Sequence, residues 1–234
     1  MFDGTAPDAV DQLAASLLAQ LTPPWARWFA FSSGPDATEN ERRDMADGLE
    51  RAAVALKSHF DRSNFTIEMH QCYLDLVTVG TASLLFEEAP PGEPSAFRFT
   101  AVPLGQVVFE ESAFRRLDAT YRRSEMTPAR VKLRFPDATL PDDILNRAQD
   151  DPDARIAVIE AVIPDQAGYA YLPVSETEEA SSGAPIVLRQ ARFAVSPFID
   201  FRWLKAPGEI YGRSPVMKAL PDIKTANKVV ELVL

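Results

Sequence analysis

Apolar positions in the first eighty residues recur at helical spacing, and over the next hundred or so they tend to alternate. Val10, Leu13, Leu17 and Leu21 fall three and four apart, with Ala14 and Leu18 widening the stripe, which predicts a helix near 6–21. Thr5-Ala6-Pro7-Asp8 has the form of a capping box, and Pro23-Pro24 ends the helix. Met45, Leu49, Ala52, Ala53, Leu56 and Phe60 form the stripe of a second helix near 38–61, opened by a capping box of Thr38 and Glu41. Ser63-Asn64 breaks the chain and caps a third helix near 65–78, so the pair reads as a helical hairpin.

Gly80-Thr81 marks a change of regime. Ser83–Glu87, Phe97–Thr100, Gln106–Glu110, Leu117–Met126 and Arg155–Ile163 read as strands, with Tyr169–Leu172 and Ile186–Arg189 as weaker ones. Ala89–Pro94 is a turn, and the acidic, small-residue run Ser175–Gly183 is expected to be a mobile hairpin tip. Thr127-Pro128 opens a short helix near 128–135, and Leu140-Pro141 opens another near 141–149. Phe198, Phe201 and Trp203 belong to one more apolar segment, so strands are expected up to about residue 204. The fold class is α+β, with N-terminal helices, a mainly antiparallel β region interrupted by short helices, and a C-terminal helix.

That last helix has its own logic. Tyr211-Gly212-Arg213-Ser214-Pro215 is a strand-to-helix junction in which Gly permits positive φ, Ser caps, and Pro takes the first helical position. Val216, Leu220, Ile223, Asn227, Val230 and Leu234 then recur at spacings of 4, 3, 4, 3 and 4, a narrow seam with one polar member. Lys218, Lys224, Lys228 and Glu231 lie largely off it. Pro221 falls inside and is expected to kink or restart the helix, and Asn227 is placed to fix register between subunits. The seam is still running at Leu234, so the helix is expected to be cut short there, in a chain that is not a complete natural protein.

Composition narrows the chemistry. Of 234 residues, 46% are hydrophobic and 25% charged, ordinary values for a globular protein, and no apolar run approaches the ~20 residues of a membrane span. The net charge of −10 argues against a protein that grips a nucleic-acid backbone over its whole surface, but not against one that lets nucleic acid pass. Cys72 is the single cysteine, which excludes an intrachain disulfide. His59, His70 and Cys72 are the candidate metal ligands, but their spacing matches no metal motif, so no metal site is expected. The ten glycines form no phosphate loop, so no nucleotide site, cofactor or catalytic residue is expected. Trp25, Trp28, Phe29 and Phe31 are read as loop aromatics that plug a core or a subunit contact.

The ordered features together resemble a family, the head-to-tail connector, or portal, proteins of short-tailed T7-like bacteriophages. The resemblance runs through FDGTAPDAVDQLAASLLAQLTPPWARWFAF, SNFTIEMHQCYLDLVTVGTASLLFEE, the turn Val102-Pro103-Leu104-Gly105 and, most specifically, RW…GEIYGRSPVMKALPDIKTANKVVE from Arg202 to Glu231. It covers essentially the whole chain. It implies a wing region over 1–205, helical to about 80 and β-rich from about 81, then a junction and the start of the first stem helix over 206–234. The clip, second stem helix, tunnel loop and crown are expected to be absent, as is the further N-terminal segment that members usually carry.

The resemblance further implies a non-catalytic dodecameric ring at one capsid vertex of the virion, assembled in the bacterial host cytoplasm. Its partners would be the major capsid protein, scaffolding protein, the terminase large subunit and tail or adaptor proteins. Double-stranded DNA would pass through the channel without sequence specificity, inward in packaging and outward in ejection. Tyr211, Gly212, Arg213, Ser214, Pro215, Val216, Leu220, Ile223, Asn227 and Val230 would form the stem junction and subunit interface. Two other readings stand beside this one. One is a monomeric adaptor or scaffold module that binds through the Trp25–Phe31 cluster. The other is a hydrolase built on a buried carboxylate pair.

Overall fold

A computed structural model describes residues 2–138, 140, 151, 153–176 and 186–233. In chain order the elements are α1 (Thr5–Leu21), α2 (Glu39–Arg62), α3 (Phe65–Val79), β1 (Thr81–Glu88), β2 (Phe97–Val102), β3 (Val107–Glu111), β4 (Leu117–Met126), α4 (Pro128–Arg134), β5 (Ile156–Asp165), β6 (Gly168–Glu176), β7 (Ile186–Val187), β8 (Ala191–Phe193), β9 (Phe198–Arg202) and α5 (Pro215–Val233). The fold is α+β, with every described strand pairing for which a register is known antiparallel. The expected helix near 141–149, most of the Ser175–Gly183 tip and Leu234 lie outside the described residues. The chain divides into two compact units, one made of residues 1–102 and 200–234, the other of 103–199.

The first unit is a helical layer on a three-stranded sheet of order β2-β1-β9. Its core gathers Ala14 from α1, Phe65, Cys72, Tyr73 and Leu76 from α3, and Ala82, Leu84 and Phe99 from the sheet. Aromatic rings knit these layers together. Phe65 meets Phe60 at 4.8 Å and Phe99 at 5.1 Å, both edge to face, and Trp28 stacks on Phe65 at 5.8 Å. Each such pair adds about 0.5–1.5 kcal/mol beyond the area it buries. β2 is an edge strand, and side chains from the start of α3 close its free edge. The Asn64 amide accepts the Phe99 N–H at 2.9 Å and donates to the Phe99 carbonyl at 2.7 Å, and Glu68 accepts the Ala101 N–H at 2.7 Å.

Two helix starts differ from expectation. Thr5-Ala6-Pro7-Asp8 does not form a capping box, because the helix begins one residue earlier, with Gly4 at the cap position, and Thr5 bonds back to Asp3. Asn64 occupies the cap position of α3 without capping it, since its amide is committed to Phe99, and the hydroxyl of Ser63 accepts the Phe65 N–H instead. The Thr38–Glu41 box of α2 forms as read, with both reciprocal bonds present. α5 runs through Pro221 as one helix rather than restarting there.

The second unit is a sheet of order β3-β4-β5-β6-β7, with β8 added beside β6. β8 is a three-residue strand that the sequence pattern did not announce. Along β5 the alternation is strict: Ile156, Val158, Glu160 and Val162 are buried, and Ala157, Ile159, Ala161 and Ile163 are less so. Glu160 is thus a carboxylate on an apolar face. Its Oε1 accepts from Arg134 Nη2 at 2.8 Å, Arg134 Nε at 3.2 Å and the Tyr171 hydroxyl at 2.7 Å, and Arg122 lies 3.5 Å from Oε2. Removing the acid takes a buried counter-charge from both arginines. Glu160→Ala should therefore cost roughly 3–5 kcal/mol in urea unfolding. Arg123→Ala, on the exposed pair with Glu125, should cost less than about 1 kcal/mol.

Candidate subunit interface

The junction named from the sequence is built around two glycines. Gly80 ends α3 in the left-handed conformation, φ 80°, and donates its N–H to the carbonyls of Asp75 and Leu76. Gly212 lies directly against it. A Cβ on Gly212 would fall on the Gly80 carbonyl oxygen, and one on Gly80 would fall on the Gly212 carbonyl. Gly212 is not in the positive-φ region, so its role is close backbone approach, not the conformational freedom expected of it.

Around this contact the backbone groups of two distant segments are tied together. The Gly80 carbonyl accepts the Trp203 N–H at 2.9 Å, and Thr81 Oγ1 accepts the Gly212 N–H at 2.8 Å. The buried Ser214 hydroxyl donates to the Thr78 carbonyl at 2.8 Å while accepting the Met217 N–H at 2.9 Å, so it caps α5 and tethers it at once. Arg213 N–H reaches the Leu204 carbonyl at 2.8 Å. Outside this knot, Arg213 forks onto exposed Glu209 at 2.6 and 2.9 Å, and that hydrogen bonding holds the Glu209 carboxyl below its usual range.

α5 leaves this knot with no fully buried residue in its 19. Pro215, Val216, Ile223, Asn227 and Val230 are half-buried, whereas Leu220, placed in the same seam by its spacing, is 41% exposed. Asn227 is engaged within its own chain, its Oδ1 accepting the N–H groups of Phe2 at 2.7 Å and Asp3 at 3.2 Å. α5 packs against α3 and faces α1 across an apolar groove of about 380 Å³ lined by Val10, Leu13, Val77, Val216 and Ile223. A second hollow of about 760 Å³ includes Ile210, Tyr211, Gly212, Arg213 and Met217. The structure therefore brings the junction residues together and sets α5 against α3, with α1 across the groove, neighbours that spacing did not reveal. Thr78, Gly80 and Thr81 are the partners of the junction that sequence reasoning missed. The one available signal was the Gly-Thr pair at the helix-to-strand change.

Elsewhere the candidate chemistry has these surroundings. Among the described residues no group of three or more His, Cys, Asp or Glu could hold a metal, and no helix is long and apolar enough to cross a membrane. His59 accepts the Ala96 N–H through Nδ1 at 3.3 Å. Asp75 is a carboxyl that burial raises, and it lines neither hollow described above. Trp28 and Phe29 pack against the Phe60–Phe65 rings, while Trp25 is 73% exposed. Cys72 is buried with its Sγ 3.6 Å from the Ser83 carbonyl.

These features sit in a chain that matches, over residues 1–234, the family described as bacteriophage head to tail connecting protein. The chain belongs to that family, which is one of structural proteins. It is also similar to a probable portal protein of Bordetella phage BPP-1, with 24% identity over 237 residues. That alignment takes in 96% of this chain and 41% of the relative, so the chain spans about two fifths of the relative's length.

Two measurements test the local geometry. Gly212→Ala should lower stability by about 2–4 kcal/mol in thermal or urea unfolding, because backbone on both sides must shift. Gly48→Ala, in α2 with open space around it, should be neutral or raise stability by about 0.5–1 kcal/mol. Burial, with smaller contributions from Asp75, Glu68 and Asp200, pushes the Cys72 thiol up to about 12 from an ordinary 9.0. The folded state thus holds this proton more tightly than the unfolded chain. The associated stability is complete below pH 9 and is lost as pH climbs towards 12. At pH 8 a thiol reagent should leave the native protein unlabelled and label one cysteine per chain in urea.

Proposed function

We propose that this chain is the wing and the beginning of the first stem helix of a phage portal, a ring at one capsid vertex through which double-stranded DNA passes. The observation that carries the reading is α5, a helix anchored at its base by the Gly80–Gly212 knot and left without a buried residue along its length. A helix on a surface normally hides one apolar stripe. Here Met217, Leu220, Val229 and Leu232 remain exposed, which suits a helix completed by neighbouring subunits. Family membership supports the same reading.

On this view the ring is dodecameric, forms in the host cytoplasm, and meets major capsid protein, scaffolding protein, terminase large subunit and tail proteins. The chain is a conduit and docking platform without catalysis of its own. The net charge of −10 suits a conduit, since a wall that repels phosphates limits the counterion-release binding that would stall moving DNA.

Negative-stain imaging and mass photometry of the full-length protein test this. Rings with a central hole are expected. Val229→Asp with Leu232→Asp, both at exposed positions, should abolish the rings and leave the circular dichroism spectrum unchanged. A stable wild-type monomer, or intact rings in the double variant, would overturn the reading. A monomer would return attention to Trp25 and the adaptor alternative.

A further inference from the structure

α1 and α5 face each other across the apolar groove and run in opposite directions. Asn227 holds Phe2 and Asp3 beside the second half of α5, and from there Thr5–Leu13 share the groove with Pro215–Ala226, so α1 leads back towards the start of α5. The groove takes one side of each helix. Helical periodicity puts contrasting chemistry on the opposite sides. α5 turns outward the row Met217, Pro221, Lys224, Lys228 and Leu232, all exposed, with exposed Lys218 beside it. α1 turns outward Asp8, Asp11 and Ala15, also exposed, and contains no basic residue.

We propose that the outward row of α5 is an interface, that its occupant is α1 of a second copy of this chain, and that Lys224 and Lys218 of one subunit face Asp8 and Asp11 of the next. This rests on the ring reading and names the surfaces that would meet. A head-to-tail contact needs two different, complementary patches on opposite sides of the subunit, and it closes into a ring only when successive copies are related by rotation without a rise along the axis.

The heights of the charges satisfy that condition. Asp3 is level with Asn227, so at equal rise per residue Asp8 is level with about position 222 and Asp11 with about position 219. Lys224 and Lys218 stand within one helical turn of those levels, an offset that a lysine side chain spans. Lys228 is already held by Glu231 at 3.0 Å and is not needed. By the same count Ala15 is level with about position 215, so the long side chain of Met217 has that small face to cover it. Like charges brought to the same contact would oppose association.

Charge reversal in the full-length protein tests this, read by sedimentation velocity and imaging. Lys218→Glu with Lys224→Glu, and separately Asp8→Lys with Asp11→Lys, should each lower the assembled fraction by about tenfold or more at fixed concentration. All four changes in one chain should restore assembly. So should an equimolar mixture of the two variant chains, because each reversed face finds its complement on the other species. Circular dichroism should be unchanged throughout, since all four positions are exposed. Rings that persist in both two-site variants, or no recovery in the mixture and in the four-site chain, would overturn the pairing while leaving the ring reading standing. Monomeric wild-type protein would sink the ring reading itself.

Discussion

The close approach of Gly80 and Gly212 is the constraint on which the rest of the first unit depends. It lets the end of α3 and the start of α5 share hydrogen bonds that no side chain could be threaded between. Thr78, Gly80 and Thr81 on one side meet Trp203, Gly212 and Ser214 on the other, and most of the partners are backbone atoms. Position and direction of α5 are set there. The core rings of Phe60, Phe65 and Phe99 hold the platform, but they do not touch the question of where α5 points. A helix with so little buried surface could not fix its own direction by packing alone.

The electrostatics divide in the same way between holding and meeting. Glu160, buried in the sheet of the second unit, is answered by Arg134, Tyr171 and Arg122, and this network stays within one unit. Such a network is better suited to defining a unique arrangement than to adding stability, because the desolvation of the ions offsets much of their attraction. The charges on α1 and α5 are the opposite case. They are exposed, acidic on α1 and mainly basic on the outward side of α5, and cheap to leave in water, so they act on whatever approaches.

Element identity was legible wherever one periodicity governed a stretch. The α1 and α2 stripes, the Thr38–Glu41 cap and the Ser214-Pro215 start of α5 all correspond to local rules of spacing and capping. Three kinds of feature were not legible. Asn64 was read as a cap, and tertiary structure gave its amide to Phe99, because a β edge offers the amide both a donor and an acceptor where a helix start offers only donors. β8 has three residues, too few for alternation to register. Gly212 was assigned a turn conformation, whereas its lack of a side chain serves a neighbour 132 positions away, Gly80. Pairings of that range leave no local signature. The placement of Asn227 against the first residues of the chain is invisible for the same reason.

The first unit is discontinuous in sequence, since residues 103–199 intervene between its two parts. β1 lacks its β9 neighbour, α1 lacks the helix across its groove, and Gly80 lacks Gly212 until residues 198–233 have been made. On the ribosome, then, the helical layer waits through the synthesis of an entire second unit before its sheet can close. The surface that α5 presents comes into being only at the end of that wait. A chain stalled or cleaved anywhere before residue 200 never acquires it. Such a chain keeps α1 and α3 but lacks the Gly80–Gly212 contact that sets the direction of α5.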